Sequence, residues 1–290
     1  MTGGPFAAAT EVTPAGPSAW RGEIRPGWDI GGNANGGYLL AIGAQALLAA
    51  TGRTDPVTVT AHYLAPGRPG PVSVETRVLK EGHRFTDAFA LLEAGGRPLL
   101  SVLGTFGDLD GESVDLLVDG APPELPPPDG CVFIEATETF RPPFMANVEL
   151  YLHPDDAGFA TGQRSGVPRV HGWFRLPDGE AVDTVALLCA LDAFPPTIFN
   201  ADLPVAWTPT VEFTAHVRGR PAPAWLRCRF TTRFVTAGFL EEDGEIWDER
   251  GRLIAQSRQL ALVPRGGAGP DPGGGRPTHR PDGTRAPAAP

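Results

Sequence analysis

The sequence predicts an α+β chain in which one unit, a helix followed by an antiparallel sheet, is used twice. Three observations predict it. Val57-Thr58-Val59-Thr60-Ala61-His62 returns 154 residues later as Val211-Glu212-Phe213-Thr214-Ala215-His216, and each copy leads into a Gly/Arg/Pro turn. Gly96-Arg97-Pro98-Leu99-Leu100 and Gly251-Arg252-Leu253-Ile254 recur at an offset of 155. An apolar, helix-like run precedes each copy. Two offsets that agree over about fifty residues argue for duplicated supersecondary units. A length of 290 residues accommodates two units of about 120 residues, a linker and a tail.

Residues 1–19, rich in Ala, Thr, Gly and Pro, read as disordered, and the first unit spans 20–120. Its helix is expected near 36–51: Asn35 can cap the start, Gly52 can stop the end, and the run between is apolar nearly all round, so it should be buried. Strands follow at 57–64, 72–81, 85–93 and 99–106, separated by Gly and Pro turns. Pro122, Pro123 and Pro126 to Pro128 mark a linker over 121–129. The second unit, 130–264, reads as strands at 130–136, 147–152 and 171–176, and a helix at 181–194 stopped by Pro195-Pro196. Strands at 210–218, 225–237, 240–248 and 253–263 complete it. Residues 265–290 carry almost no large apolar side chain and are expected to be a disordered tail.

An apolar helix followed by four or more antiparallel strands is stable when the sheet wraps the helix, since one face of every strand then has an apolar partner. That arrangement is the hotdog. The expectation is a double hotdog, two antiparallel sheets each wrapped around a long central helix and packed side by side as a pseudo-dimer; a generic α+β sandwich fits the same pattern.

A formal net charge of −10 with Lys80 as the single lysine argues against a nucleic-acid footprint. No stretch approaches the roughly 20 apolar residues of a membrane span and no signal peptide is evident, so a cytoplasmic protein with no membrane partner is expected. Cys131, Cys189 and Cys228 are odd in number and widely spaced, which suggests no disulfide framework. There is no G-x-S-x-G elbow and no phosphate loop, and the six histidines show no close metal-ligand spacing; no metal or other cofactor is expected.

What remains is polar residues in apolar contexts. Val182, Val185 and Cys189 recur along one stripe of the second helix, and Asp192 is its next position. A carboxylate on a buried face near a helix C-terminus is disfavoured by desolvation and by the dipole, so it is either held structurally or functional. Gln259 shares a strand face with Ala255, Ser257 and Ala261, small neighbours that leave room for a ligand; a side chain satisfied by backbone is the alternative. Thr210 opens the repeated strand, where alternation puts it on the face opposite Phe213, and strand threonines are ordinarily structural.

Taken together these residues resemble the acyl-CoA thioesterase II-like family of double-hotdog proteins, over 28–106 and 172–263. The segments that carry the resemblance are Gly31-Gly32, Ala61-His62-Tyr63-Leu64-Ala65-Pro66-Gly67, Leu79-Lys80-Glu81-Gly82-His83-Arg84-Phe85, Gly96-Arg97-Pro98, Gly104-Thr105-Phe106, Thr210-Val211-Glu212 and Ala255-Gln256-Ser257-Arg258-Gln259. The resemblance implies hydrolysis of acyl-CoA to free acid and CoA in lipid metabolism, by a dimer of double hotdogs. It implies a catalytic set of Asp192, Thr210 and Gln259, with Asp192 as general base and the other two orienting the water. Backbone N–H groups at Gly36 and Gly37, with Tyr38 beside them, would bind the substrate and polarise its carbonyl. Two departures stand out: Pro209 precedes Thr210, and Glu212-Phe213 replaces the family's acidic-plus-His pair. They leave a second reading, an acyl-thioester binding or scaffold protein without turnover. A hydratase is disfavoured because no Asp-x-Asn-Pro-x-His segment occurs. In the first unit Pro56, Gly104 and Tyr38 stand opposite Thr210, Gln259 and Asp192 by ungapped counting, so one site per chain is expected.

Overall fold

The two copies of the repeated strand pair with each other. In the computed structural model, which describes residues 4–109, 117–134, 142–222 and 225–263, the chain runs through α1 (Pro5–Ala9), β1 (Thr13–Gly16), β2 (Ala19–Ile24), a two-stranded hairpin of β3 (Asp29–Ile30) and β4 (Asn33–Ala34), and α2 (Gly36–Thr51). It continues through β5 (Asp55–Tyr63), β6 (Gly70–Glu81), β7 (Phe85–Ala94) and β8 (Arg97–Gly107). The second half contains β9 (Val132–Phe133), β10 (Glu149–Leu152), β11 (Arg169–Arg175), α3 (Ala186–Ala190), β12 (Thr210–Val217), β13 (Leu226–Thr231), β14 (Val235–Thr236), β15 (Phe239–Trp247) and β16 (Leu253–Leu262). Apart from the β3–β4 hairpin, these strands form one 14-stranded sheet in the order β1-β2-β6-β7-β8-β5-β12-β16-β15-β13-β11-β10-β9, with β14 beside β15.

The seam is β5 against β12, antiparallel, with Thr60 opposite Thr214 and their hydroxyls 2.9 Å apart. These two threonines are the same position of the repeat, since 60 + 154 = 214. A self-pairing position marks an internal two-fold axis, as in an isologous dimer interface. The duplication therefore builds its own dimer within one chain.

α2 forms where the capping signals place it. Asn35 Oδ1 accepts from the Tyr38 amide at 2.9 Å, and Gly52 closes the helix with φ 65°, a left-handed conformation that glycine adopts without a Cβ clash. Tyr38, Leu39, Leu40, Ile42 and Leu47 are all buried, and the helix packs on β2 and on β5 through β8. This is the helix-wrapped sheet expected for the first half.

The second half departs from expectation. The helix expected over 181–194 is α3, five residues long. The Asp183 carboxylate accepts from the amides of Val185 and Ala186, so the helical turns start there, and Thr184 Oγ1 donates to Asp55 instead of continuing a helix backwards. At the far end the residue before Pro195 is barred from the helical region, and short turns carry the chain through Asp192. The sheet is likewise continuous, so the two sheets each around a long helix become one sheet with one long helix.

Residues 4–19 carry α1 and β1, against the expectation of disorder over 1–19, of which 1–3 lie outside the described residues. Phe6 and Ala9 lie on one face of α1 and are buried, with the Phe6 ring edge-on to Trp28 at 5.8 Å. Glu180, 174 residues away, caps α1 through 2.9 Å bonds from the Phe6 and Ala7 amides. A small-residue composition reads as disorder until such a distant partner is known. The strand expected over 225–237 is β13 and β14, split by a turn, while residues 135–136 and the tail over 265–290 lie outside the described residues.

Candidate active site

The three polar residues singled out in the second half line one cavity of about 780 Å³. Its walls are mostly apolar, with Phe194, Phe199, Phe230, Leu240 and Trp207 among them, and it is lined from the start of α2 and from β12, β15 and β16.

Asp192 sits where the turn after α3 meets the N-terminus of α2. Its Oδ2 accepts from the Gly37 amide at 2.7 Å and from Asn35 Nδ2 at 3.1 Å, and Asn35 Nδ2 also reaches the Asp192 carbonyl at 2.9 Å. Glycine is required at this junction. A Cβ on Gly37 would lie 2.8 Å from the Leu188 carbonyl oxygen and 2.9 Å from the Asp192 Cβ. A Cβ on Gly36 would lie 2.9 Å from both Asp192 Oδ2 and Tyr63 Oη. Burial pushes the Asp192 carboxyl up to about 7, helped by the negative field of Glu242; the Gly37 and Gly36 amides and Asn35 oppose the shift without cancelling it. The positive end of α2 thus holds the carboxylate, while the apolar cavity makes it basic.

Thr210 and Gln259 line the same cavity. Thr210 Oγ1 donates to Gln259 Oε1 at 2.8 Å. Simple alternation would turn Thr210 away from Phe213, but the register slips between Thr210 and Glu212: Phe213 pairs with Gln259 and Thr210 with Ala261. The bulge at Val211 adds one residue and swings Thr210 onto the inner face. The same slip occurs at the repeat-related position, between Pro56 and Thr58. There the space is closed: Phe106 is fully buried and its ring covers Gly104, whose added Cβ would lie 2.9 Å from it. The first-half counterpart of Asp192 is better read from the caps than from ungapped counting. Asn35 and Asp183 cap their helices 148 residues apart, which sets Asp192 opposite Ala44 instead of Tyr38 (192 − 148 = 44).

The proposed substrate-binding residues separate. Gly36 lines the cavity. Gly37 presents its amide to Asp192, so that N–H is committed to the carboxylate instead of a carbonyl. Tyr38 stacks on Trp28 at 4.8 Å in the core, and its hydroxyl accepts from the Arg25 amide at 3.0 Å and donates to the Ala9 carbonyl at 2.9 Å. It does not line the cavity and holds the N-terminal segment onto α2.

Two cavity residues escaped the sequence reading. Tyr63 Oη is buried beside Gly36 with no hydrogen-bond partner among the described residues. Glu242, 5 % exposed, accepts from Gln259 Nε2 and from the Thr197 amide, each at 2.8 Å. Its signal was present: Glu242 occupies an inward position of β15 between Leu240 and Gly244, where a carboxylate is out of place.

Comparison with known proteins adds the following. The chain matches the acyl-CoA thioesterase N-terminal domain over 24–107 and the acyl-CoA thioesterase C-terminal domain over 119–263. It is 30% identical over 269 residues to an uncharacterized protein of Mycobacterium tuberculosis, covering 84% of this chain and 91% of that one. A provisionally assigned thioesterase II from Thermobifida fusca superposes with a TM-score of 0.83 at 34% identity, covering 91% of this chain and 99% of the other. A hot dog fold protein of unknown function from Alicyclobacillus acidocaldarius superposes at 0.79 with 20% identity, covering 90% of this chain and 98% of the other; at that identity the likeness speaks for the hotdog fold alone.

Proposed function

The chain belongs to the acyl-CoA thioesterase family, and on that premise we propose that it hydrolyses acyl-CoA thioesters to the free acid and CoA, at one site per chain, in lipid metabolism. The observation that carries this reading is a buried carboxylate, Asp192, lining the same cavity as a hydrogen-bonded Thr210–Gln259 pair, with burial pushing its pKa up to about 7.

The acyl chain lies along the apolar wall. Thr210 spends its proton on Gln259, so it offers only lone pairs to a water, and Asp192 offers a basic oxygen. A water donating to both keeps a lone pair for the thioester carbon. As its oxygen bonds to that carbon, Asp192 takes a proton and the carbonyl oxygen becomes an oxyanion. Tyr63 Oη–H, buried with no other partner described, is the donor we assign to that oxyanion. Collapse breaks the C–S bond, and the thiolate of CoA leaves with the proton held by Asp192. Positioning and general-base action are the two contributions on which this mechanism draws.

The test is thiol release over a panel of acyl-CoA chain lengths between pH 5 and 9. A base must be ionised, so kcat/KM should rise with pH through about 7 and level off above it. A flat profile below pH 7 would remove Asp192 as the base. Binding without release of CoA for every chain length would favour the scaffold reading.

A further inference from the structure

Glu242 lies outside the three residues assigned above to the attacking water, yet it lines the same cavity and both of its carboxylate oxygens are held. It stands directly across from Gln259 in the β15–β16 ladder. One carboxylate oxygen accepts from the Thr197 amide and the other from Gln259 Nε2, each at 2.8 Å, and Gln259 Oε1 in turn accepts from Thr210 Oγ1 at 2.8 Å. The result is a directed chain from a backbone amide, through a carboxylate and an amide, to a hydroxyl.

Direction is what this chain controls. Both Glu242 oxygens accept from N–H groups, so the carboxylate acts as acceptor only and fixes the Gln259 amide with nitrogen toward Glu242 and oxygen toward Thr210. That oxygen takes the Thr210 proton and leaves lone pairs facing the cavity. If the amide were reversed, its nitrogen would donate to Thr210, and the Thr210 proton would swing into the cavity. There it would bind the lone pair that a nucleophilic water needs. Resting on the hydrolytic reading above, we infer that Glu242 is a positioning residue that sets the proton direction of Gln259 and Thr210, and so keeps the attacking lone pair of the water free.

Glu242→Gln tests this, because glutamine preserves the shape and reverses the chain. Its Oε1 can accept from the Thr197 amide, its Nε2 then donates to Gln259 Oε1, and Gln259 Nε2 donates to Thr210. Each of the three bonds of the chain keeps a donor and an acceptor, so the Tm should stay within about 3 °C of wild type. The expected loss in kcat is about 10–100-fold, the scale of losing a group that orients another, with KM within about threefold because acyl-chain contacts are untouched. A merely structural role predicts the opposite split, a fall in Tm with kcat per folded molecule unchanged. Thr210→Val supplies the second arm: with no hydroxyl to misdirect, adding Glu242→Gln should cost less than about threefold further. A Glu242→Gln kcat within threefold of wild type, a large Tm loss, or losses that multiply in the double variant would each overturn the inference. If wild type itself releases no CoA from any chain length, the hydrolytic reading fails first and the variants are not needed to decide it.

Discussion

Asp192→Asn is expected to lower kcat by about 10²–10⁴-fold, or roughly 3–5 kcal/mol on the barrier, with KM little changed. Asparagine is well suited to the test because both bonds that hold the carboxylate fall on the same oxygen, Oδ2, from the Gly37 amide and Asn35 Nδ2. The amide oxygen can take that place. The amide nitrogen then faces the cavity, where it can donate but cannot accept the proton of a water. Stability should move the other way from activity. The native carboxyl titrates near 7, above the ordinary carboxylate value of 3.8. Between these pH values the unfolded chain has released a proton that the native state retains, so wild-type stability falls as pH rises through that window. Asparagine does not titrate. The variant should therefore melt several degrees higher than wild type at pH 8 and lose the advantage near pH 4. Thiol release and thermal melts at both pH values check the two halves of the expectation. A kcat within tenfold of wild type would place the base elsewhere, and a lower Tm at pH 8 would show that the ionised carboxylate stabilises the junction.

The features legible in the sequence were those set by local chemistry. α2 was expected over 36–51 and spans Gly36–Thr51, because Asn35 and Gly52 act on backbone groups within one turn of themselves. The repeat announced two like units packed side by side, though not that the repeated strands themselves, β5 and β12, would form the seam. What escaped depends on partners far away in the chain. α1 is capped by Glu180, and α3 is short because Thr184 bonds to Asp55 across 129 residues. In the site, Asp192, Thr210 and Gln259 were found by residue type and resemblance, and all three reach one cavity. Their geometry was hidden. The bulge at Val211, which turns Thr210 inward, is a property of strand pairing and leaves no mark on the alternation of a single strand. The commitment of the Gly37 amide to Asp192, and the burial of Tyr38 under the N-terminal segment, follow from how α3 and α1 dock.

Asp55→Asn should show the converse of Asp192→Asn, a large loss of stability from a carboxylate that does no chemistry. Asp55 begins β5, one residue before the position related to Thr210, and it is 1 % exposed. Its Oδ1 accepts from Arg220 Nε at 3.1 Å and Thr184 Oγ1 at 2.8 Å; its Oδ2 accepts from an Arg220 terminal nitrogen at 2.8 Å, Thr54 Oγ1 at 2.7 Å and the Leu109 amide at 2.8 Å. Burial alone would raise its pKa, but the Arg220 guanidinium with Thr54, Leu109 and Thr184 outweighs burial and holds it below the ordinary value. An asparagine cannot satisfy these partners. The threonine hydroxyls can turn and accept, but a guanidinium N–H faces each oxygen, so the amide nitrogen meets a donor in either orientation. Because Arg220 and Thr184 belong to the second half, the lost bonds also tie the halves together. Removing one partner of such a buried pair costs about 2–4 kcal/mol once the partial exposure of Arg220 is allowed for, enough to lower the Tm by roughly 5–12 °C. A depressed native pKa supplies stability above the unfolded value of 3.8 that is lost as pH falls through the native one, so wild type and variant should begin to draw together only as pH falls below 3.8. Asp55 does not line the cavity, so kcat measured below the melting transition should stay within about twofold of wild type. Denaturant titrations at pH 7 and pH 3.5, with turnover at 20 °C, separate these outcomes: equal stability at pH 7 would mean the five bonds are replaceable by water, and a collapse of kcat in the folded variant would mean that the Asp55 cluster shapes the site.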